Sequence, residues 1–233
     1  MLGLLLSITH LRMNTALVIG ATGLVGKTLT TFLLNHHQFT AVKTFVRKPS
    51  GLQHPKLKEH IVNFEEPAQW HHLLTGTHLF ACMGTTIKQA GSKEAQYRVD
   101  FEYQYQAAHA AVTNGVAQLL LISSQGANSA SNIFYLRIKG ELEEAVKKLG
   151  FAHTSVVRPS LLVGEREVKR QGEKWWAAIL HFANALGLFK KYMPITDVQV
   201  AKALVLLAVK PRQEVFTILE ADQLFQLSAH AAV

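Results

Sequence analysis

The sequence has a single cysteine and no long apolar run, and each shortage excludes a class of protein. Cys82 stands alone among 233 residues, which excludes an intramolecular disulfide and a zinc site built from several cysteines. A reducing, cytoplasmic location is the simplest expectation from this cysteine usage. No apolar run approaches the roughly 18 residues that a membrane-spanning helix needs. We therefore expect no integral association with a membrane.

Negative charge is also scarce, because 24 lysines and arginines stand against 16 aspartates and glutamates and give a net charge of +8. Such an excess can indicate nucleic acid, an anionic membrane or acidic small molecules as a partner. The basic residues are spread along the chain, and no block of five like charges occurs. We therefore predict solvated surface charge together with a phosphate site, and no nucleic-acid partner.

The twelve histidines of the chain do not form a metal-binding pattern. The adjacent pairs at 36–37 and 71–72 cannot easily face one ion, and neither an H-E-x-x-H motif nor a Cys/His spacing occurs. Cys82 lies in an apolar run, where it is more typical of a small core residue than of a reactive thiol. We expect no metal site.

Residues 1–12 are apolar but lack the pattern of a secretion signal. Their start carries no positive charge, and no small-residue cleavage site follows them. Met13 opens directly into a strand and a glycine turn, so we predict that residues 1–12 are a non-native or disordered leader. The remaining length, 13–233, suits a single domain.

Short apolar runs alternate with helical patterns up to about residue 160. The runs are typical of strands buried on both faces, and they lie at 15–20, 41–46, 59–64, 77–83, 117–123 and 154–158. Helical patterns lie at 24–34, 95–114 and 133–149. Such alternation implies right-handed crossovers and a parallel sheet. The predicted fold class is α/β, a doubly wound parallel sheet of the NAD(P)-binding Rossmann type.

The pattern changes after residue 160, where helices are expected at 174–188 and 197–209 and a late strand at 214–220. This region is too short for a core of its own. We predict that residues 160–233 form a small helical cap at the carboxyl edge of the sheet, where ligands bind in open α/β folds. The helix at 174–188 is expected to pack in the core, with a lid, a dimer contact or a membrane-surface helix as alternatives.

A glycine-rich turn, GATGLVG at 20–26, follows the first predicted strand and opens the first predicted helix. One glycine permits the tight turn, one lets the backbone approach a pyrophosphate, and one lets helix and strand pack closely. The free N–H groups and the positive potential of the helix N-terminus suit phosphate. The turn therefore predicts a dinucleotide site, and a glycine-rich turn without a ligand is the alternative.

The second predicted strand lacks the acid that selects NAD. In NAD sites an acidic residue at the end of this strand accepts a hydrogen bond from the ribose 2′-hydroxyl. Here the strand ends at Arg47 and Lys48, and a guanidinium suits a 2′-phosphate through paired donors. We therefore favour NADP(H) over NAD(H) as the cofactor, with a solvated Arg47 as the alternative.

Three residues that follow the fifth predicted strand have the spacing of an acid–base set. Ser124 comes directly after this strand, Tyr135 follows it by eleven residues, and Lys139 lies four residues further on. Positions i and i+4 share one face of a helix, so the ammonium would favour the phenolate of the tyrosine. Tyr135 would then exchange a proton with a substrate oxygen, which the serine hydroxyl would orient. Outside this context Tyr135 would be a helix residue half-packed on the core.

Four motifs together carry a resemblance to a known family: GATGLVG at 20–26, SSQGAN at 123–128, YLRIKGE at 135–141 and RPSLLVGER at 158–166. The chain resembles the atypical short-chain dehydrogenase/reductases from residue 13 to about 225. The segments CMGTT at 82–86, AGS at 90–92 and VD at 99–100 are similar, more narrowly, to the Tat-interacting-protein-like oxidoreductases and their bacterial relatives.

The resemblance implies roles for individual residues. Ser124, Tyr135 and Lys139 would be the catalytic set, while Arg47 and Lys48 would meet the 2′-phosphate. Such families often carry an aspartate after the third strand to meet the adenine, and Asn63 stands there in this chain. Its amide can still hydrogen-bond the adenine. The other cofactor contacts would be Gly20, Thr22, Gly23, Leu24, Val25, Gly26, Met83, Gly84, Thr85, Ser123, Lys139, Pro159, Ser160 and Leu161.

The predicted function is NADP(H)-dependent hydride transfer to or from a small carbonyl or alcohol substrate. The rival is a non-catalytic, NADP(H)-binding redox sensor or scaffold with a protein partner, which the resemblance to the Tat-interacting proteins makes serious. The Ser-Tyr-Lys set favours the enzyme. A nucleotide-sugar epimerase is a third alternative, and the short C-terminal region counts against it. A homodimer is compatible with each of these functions.

Overall fold

The fold is built around a parallel sheet of seven strands, seen in a computed structural model that describes residues 13–163, 194–210 and 214–229. The predicted leader at 1–12 and the predicted helix at 174–188 lie outside these ranges. The strands of the sheet are β1 (Asn14–Ile19), β2 (Phe39–Val46), β3 (Leu57–Ile61), β4 (His78–Ala81), β5 (Gln118–Ile122), β6 (His153–Arg158) and β9 (Phe216–Glu220). Two further short strands, β7 (Leu162–Val163) and β8 (Ile195–Thr196), pair with each other.

The order of the strands is β3-β2-β1-β4-β5-β6-β9, and each neighbouring pair is parallel. The chain therefore builds outward from β1 in one direction and then, from β4, in the other. Ligands of doubly wound folds bind outside the carboxyl ends of the two strands between which this direction reverses. The predicted fold class is confirmed, and the topology places the site at the ends of β1 and β4.

The helices cover both faces of the sheet. They are α1 (Leu24–Asn35), α2 (Ile87–Ala90), α3 (Lys93–Tyr97), α4 (Tyr103–Thr113), α5 (Phe134–Lys147), α6 (Asp197–Val209) and α7 (Ala221–Ala229). The single helix predicted at 95–114 is interrupted by a π-helical turn, Arg98–Glu102, between α3 and α4. Asp100 at the middle of this turn is fully buried. A π-helical turn often marks a functional site.

The core lies on both faces of the sheet, as the continuous apolar runs predict. Along β1, Ala16 and Val18 pack in the cluster that contains α1 and α6. Leu17 and Ile19 pack in the other cluster, which contains α4 and α5. This alternation follows from the two-residue period of a strand, and each buried Val, Leu or Ile contributes about 1.5–3 kcal/mol. The strands that lead into the site are therefore held by packing on both faces of the sheet.

The described part of the C-terminal region extends the sheet and covers one of its faces. The predicted helix at 197–209 and the predicted late strand are both present, as α6 and β9. We expected this region to pack on the carboxyl edge, but α6 packs against α1 and β9 pairs with β6. The cap formed by residues 160–233 as a whole stays a prediction. None of the helices in the described ranges has the length and apolar character needed to cross a bilayer.

Candidate functional site

The glycine turn between β1 and α1 brings the ends of the two central strands into contact. Gly20 has a φ of +78°, and a Cβ on it would lie 2.6 Å from the carbonyl oxygen of Cys82. A Cβ on Gly26 would lie 2.1 Å from the carbonyl oxygen of Gly20. Both positions therefore require glycine, one for its positive φ and one for close packing of α1 on the turn. The first turn of α1 then presents its free N–H groups to the site.

A cleft of about 640 Å³ opens beside this turn at the carboxyl ends of β1, β2 and β4. We call it the open cleft. Eight of the predicted cofactor residues line it, which supports the interpretation of these segments as one nucleotide site. They are Gly20, Thr22, Gly23, Arg47, Asn63, Met83, Gly84 and Thr85.

The far end of the open cleft carries charged and aromatic residues that sequence reasoning did not single out. Arg98 and Tyr103 line it together with Glu65. The Tyr103 hydroxyl donates a hydrogen bond to the carboxylate of Glu65. Burial and this bond raise the pKa of Tyr103 to about 12, so the phenol keeps its proton. No motif around these residues would have identified them, because each comes from a different element.

Asn63 at the same end already has hydrogen-bond partners within its own loop. Its Nδ2 donates to Glu66 Oε1 at 2.6 Å, and its Oδ1 accepts from the backbone N–H of Glu65 at 3.1 Å. The amide was expected to meet the adenine. The structure gives Asn63 the additional role of shaping the loop that follows β3, and adenine contact stays a prediction.

Tyr135 and Lys139 share one face of α5, as their spacing predicts. The Lys139 Nζ lies 5.9 Å from the centroid of the Tyr135 ring. Tyr135 is 38% exposed, whereas Lys139 is buried. The Tyr135 side chain is therefore partly in contact with solvent, while the ammonium stays inside the protein.

The Lys139 ammonium is paired with a carboxylate that sequence reasoning did not assign to it. Its Nζ lies 2.9 Å from Asp100 Oδ1, and the side chains are 3% and 0% exposed. The other carboxylate oxygen of Asp100 accepts from the backbone N–H of Thr85 at 3.1 Å. Burial is the largest single influence and lowers the pKa of Lys139, but the combined effects of Asp100, Tyr135 and Glu143 outweigh it and the pKa is raised. Lys139 is therefore a fixed cation.

A second group of charged side chains lies around Glu143, one turn of α5 beyond Lys139. Glu143 pairs through both carboxylate oxygens with Arg158, at 3.0 and 2.6 Å. It also accepts a hydrogen bond from the hydroxyl of Ser123, and Arg158 pairs with Glu220 at 2.9 Å. The hydrogen bonds to Glu143 raise the pKa of Arg158. We call Asp100, Lys139, Ser123, Glu143 and Arg158 the buried charge cluster.

The other predicted site residues lie outside the lining of the open cleft. Ser123 is buried and its hydroxyl donates to Glu143 in the buried charge cluster. The Ser124 hydroxyl lies 3.4 Å from the carbonyl oxygen of Gln125. Pro159 is buried, and its carbonyl oxygen accepts from the backbone N–H of Gln125 at 3.0 Å. Exposed or partly exposed positions are occupied by Leu24, Lys48, Ser160 and Leu161, while Val25 and Gly26 are buried under the turn.

Residues 20–174 match the sequence pattern of the family described as NAD(P)H-binding. This chain belongs to that family. The family covers the glycine turn, the open cleft and α5, so the NAD(P)-binding prediction is confirmed at that level. Within the described ranges, no group of three or more His, Cys, Asp or Glu side chains is placed to hold a metal ion.

Curated relatives of this NAD(P)H-binding chain are Fmp52-type proteins. "Protein fmp52, mitochondrial" of Emericella nidulans is 36% identical over 181 residues, which are 75% of this chain and 76% of that protein. "Protein FMP52, mitochondrial" of Candida glabrata is 37% identical over 162 residues, 68% of each chain. These relatives are named mitochondrial. The expectation of a cytoplasmic location is therefore wrong, because cysteine usage reports redox conditions and not a particular compartment.

Solved structures with the same fold include a short-chain dehydrogenase/reductase superfamily protein and an epimerase. A short-chain dehydrogenase/reductase superfamily protein from Agrobacterium tumefaciens with bound NAD has a TM-score of 0.68 and 16% identity, and covers 88% of this chain and 77% of that one. A UDP-N-acetylglucosamine 4-epimerase from Methanobrevibacter ruminantium has a TM-score of 0.66 and 15% identity, with 92% and 81% covered. At 15–16% identity these likenesses show the fold alone, a Rossmann-type α/β fold that this chain shares with both proteins.

Proposed function

We propose that this protein is an NADPH-dependent oxidoreductase that exchanges hydride with a small carbonyl or alcohol compound. When bound, NADPH supplies two electrons as a hydride and leaves as NADP⁺. In the reduction, a C–H bond forms at the carbonyl carbon, the C=O π bond breaks, and the oxygen takes the proton of Tyr135. In the reverse direction the Tyr135 phenolate accepts the proton of the alcohol.

The buried Lys139 ammonium beside the half-exposed Tyr135 ring is the observation that supports this function. A positive charge held near a phenol stabilises the negative charge that develops on its oxygen and so eases proton transfer. The raised pKa of Lys139 keeps this charge in place at neutral pH. Asp100 therefore positions the cation, and Tyr135 is the group that meets the substrate oxygen.

The open cleft supports NADPH as the cofactor. Arg47 follows β2, is exposed and lines the cleft, so its guanidinium can form paired hydrogen bonds to a 2′-phosphate. Lys48 is exposed outside the lining of the cleft. We therefore assign phosphate recognition to Arg47 and only a general electrostatic contribution to Lys48.

Calorimetric titration with NADPH and NADH tests the cofactor. Arg47→Ala should weaken NADPH binding roughly ten- to a hundredfold, because hydrogen bonds between charged groups contribute about 1.5–3 kcal/mol. NADH binding should stay within about twofold of wild type, since NADH lacks the phosphate. Lys48→Ala is the control for loss of one positive charge. Equal loss of both nucleotides in Arg47→Ala would contradict the assignment.

Turnover of a panel of aldehydes, ketones and alcohols tests the chemistry. Tyr135→Phe removes the transferred proton and keeps the ring, so NADPH should still bind while kcat falls about 10²- to 10⁴-fold. Unchanged turnover of a confirmed substrate in this variant would refute the role of Tyr135.

A non-catalytic NADP(H) sensor is the second candidate. Ser124, which the enzyme needs beside a substrate carbonyl, lies outside the lining of the open cleft, and this observation favours the sensor. Stoichiometric NADPH binding without turnover of any compound in the panel would support it. The epimerase alternative rests on fold likeness alone and predicts a tightly retained cofactor after purification.

The mitochondrial names of the Fmp52 relatives favour a mitochondrial location for this protein. Fractionation of cells that express the tagged full chain tests it. A homodimer stays a prediction, which sedimentation of the purified protein would decide.

A further inference from the structure

We propose that Arg98 is a second guanidinium for the 2′-phosphate and acts with Arg47 to select NADPH. The proposal rests on the function proposed above and assigns a binding role to a residue of the π-helical turn. Both arginines line the open cleft, although they are 51 positions apart in the sequence. The fold thus brings two cations to one nucleotide-sized space.

The charged side chains that line the open cleft favour the binding of a ligand with two negative charges. Arg47 and Arg98 are the cations among its lining residues, and Glu65 is the acid. A 2′-phosphate carries close to two negative charges and several acceptor oxygens, so two guanidinium groups can each form paired hydrogen bonds with it. A ribose 2′-hydroxyl has neither the charge nor the number of acceptors to use both groups.

Arg98 is held only weakly by Glu65. Its Nη1 lies 4.0 Å from Glu65 Oε1, and the two side chains are 49% and 56% exposed. An exposed pair at this distance contributes little to stability. Phosphate can therefore attract Arg98 away from Glu65 with little loss.

Glu65 keeps a partner when Arg98 moves. The Tyr103 hydroxyl donates to its carboxylate, and the raised pKa of Tyr103 keeps that proton in place. The backbone N–H of Glu65 is also tied to Asn63 Oδ1 at 3.1 Å. The acid thus stays fixed at the far end of the cleft, where it competes with the phosphate for Arg98.

The backbone that carries Arg98 is anchored from inside the protein. Arg98 is the first residue of the π-helical turn, and Asp100 two positions later is held by Lys139 and by the Thr85 N–H. The base of the Arg98 side chain is therefore fixed while its guanidinium lies near solvent. This arrangement presents a long, adaptable cation from a rigid position, which limits the ordering cost of binding.

Calorimetric titration of the full chain with NADPH and NADH tests this role in Arg98→Ala, Glu65→Gln and the double variant. Arg98→Ala should weaken NADPH binding roughly tenfold and leave NADH within about twofold. Glu65→Gln should strengthen NADPH binding, because it removes the competing carboxylate. This gain should vanish in the double variant, since it acts through Arg98. Two probes without nicotinamide should repeat this pattern. Binding of 2′,5′-ADP, which carries the 2′-phosphate, should change in the variants as NADPH binding does. Binding of 5′-AMP, which lacks that phosphate, should change as NADH binding does.

Arg137→Ala is the matched control, because Arg137 also pairs with a partly exposed glutamate, Glu141, at 3.8 Å but lies outside the cleft. Its ratio of NADPH to NADH affinity should equal that of wild type. An unchanged NADPH affinity in Arg98→Ala, or an equal loss of NADPH and NADH, would overturn the role of Arg98 while leaving the proposed function intact. Failure of the wild-type protein to bind NADPH would overturn both. Circular dichroism of each variant confirms that it is folded.

Discussion

The open cleft and the buried charge cluster lie at the same edge of the sheet but are built in opposite ways. The cleft is formed by backbone, glycine and exposed side chains around the turn at 20–26. The cluster is formed mainly by side chains that are almost excluded from water, such as Lys139 and Asp100, while Arg158 is 20% exposed. The first leaves room for a ligand to complete its hydrogen bonds, whereas the second has already satisfied its own charges.

In the proposed enzyme, this difference separates ligand binding from proton transfer. A ligand in the open cleft meets N–H groups and guanidinium groups that gain partners when it arrives. The cluster instead holds one cation beside Tyr135 whether or not a ligand is present, because Asp100 pairs with Lys139 inside the protein. Charges that are already oriented need no rearrangement during the reaction. We therefore expect damage to the cleft to change affinity and damage to the cluster to change stability and turnover.

The largest effect is expected from Gly20→Ala in the open cleft. The new Cβ would meet the Cys82 carbonyl oxygen at 2.6 Å and would hold a positive φ. The backbone strain and the steric clash should each lower the free energy of unfolding by about 1–3 kcal/mol. The turn would also be displaced, so its N–H groups would no longer point at the phosphate. We expect NADPH binding to fall more than about a hundredfold and the protein to unfold at lower urea concentration.

Gly51→Ala is the control for the strain of placing alanine at a positive φ. Gly51 has a φ of +75°, and a Cβ there would meet nothing within 4 Å. This variant should lose only about 1 kcal/mol of unfolding free energy to backbone strain. Its affinity for NADPH should equal that of wild type. Equal effects of the two variants on affinity would show that close packing at Gly20 is unimportant for the cleft.

The next largest effect is expected from Asp100→Asn in the buried charge cluster. The variant keeps the shape but leaves the Lys139 ammonium without a counter-charge, at a cost of about 4 kcal/mol near neutral pH. In the wild type the raised pKa of Lys139 means that its contribution is fully present below pH 10.5 and is lost only as the pH rises further. In the variant, burial lowers the pKa, so stability should increase as the pH approaches 10.5.

Urea unfolding of both proteins from pH 7 to pH 10.5 measures this difference. The gap in the free energy of unfolding should narrow as the pH rises, because a neutral lysine no longer needs the carboxylate. A gap independent of pH would mean that Asp100 serves packing alone. The turnover of a confirmed substrate should also fall in the variant, with its pH profile displaced relative to wild type.

A smaller effect is expected from Glu143→Gln, which breaks the pair with Arg158. Removing one partner of a buried pair costs about 3–5 kcal/mol, and the low end applies because Arg158 is 20% exposed and keeps Glu220. Glu141→Gln on the same helix is the control, since its pair with Arg137 is partly exposed. It should change the unfolding free energy by less than about 0.5 kcal/mol. Similar losses in both variants would show that burial does not distinguish the cluster.

The sequence predicts the open cleft better than the buried charge cluster for a physical reason. The glycine turn is a local signal, because its seven residues are consecutive and each strand end follows an apolar run. Asp100 and Lys139 are 39 positions apart, and their pairing depends on a π-helical turn that propensity does not predict. The sequence identifies residues 99–100 only as part of a motif.

Glu143 was within reach of sequence reasoning. Tyr135, Lys139 and Glu143 recur every four residues and share a face of α5. Ile138, Leu142 and Val146 on the same helix are buried, so polar residues beside that stripe had to find partners inside the protein. The partner itself, Arg158, could not be identified, because it lies on β6 and the order of strands is set by the whole sheet.

The smallest effect is expected for the coupling energy of the ion pair in the open cleft, which we compare with that of an ion pair in the buried charge cluster. A double-mutant cycle on Arg98 and Glu65, without cofactor, should give a coupling energy below about 1 kcal/mol, because both side chains are near half exposed and 4.0 Å apart. The same cycle on Lys139 and Asp100 should give several times more. A coupling above about 1 kcal/mol in the cleft would mean that Glu65 restrains Arg98 before NADPH arrives. Arg98 would then have to be released from Glu65 before it could bind phosphate, and this part of the cleft would resemble the cluster.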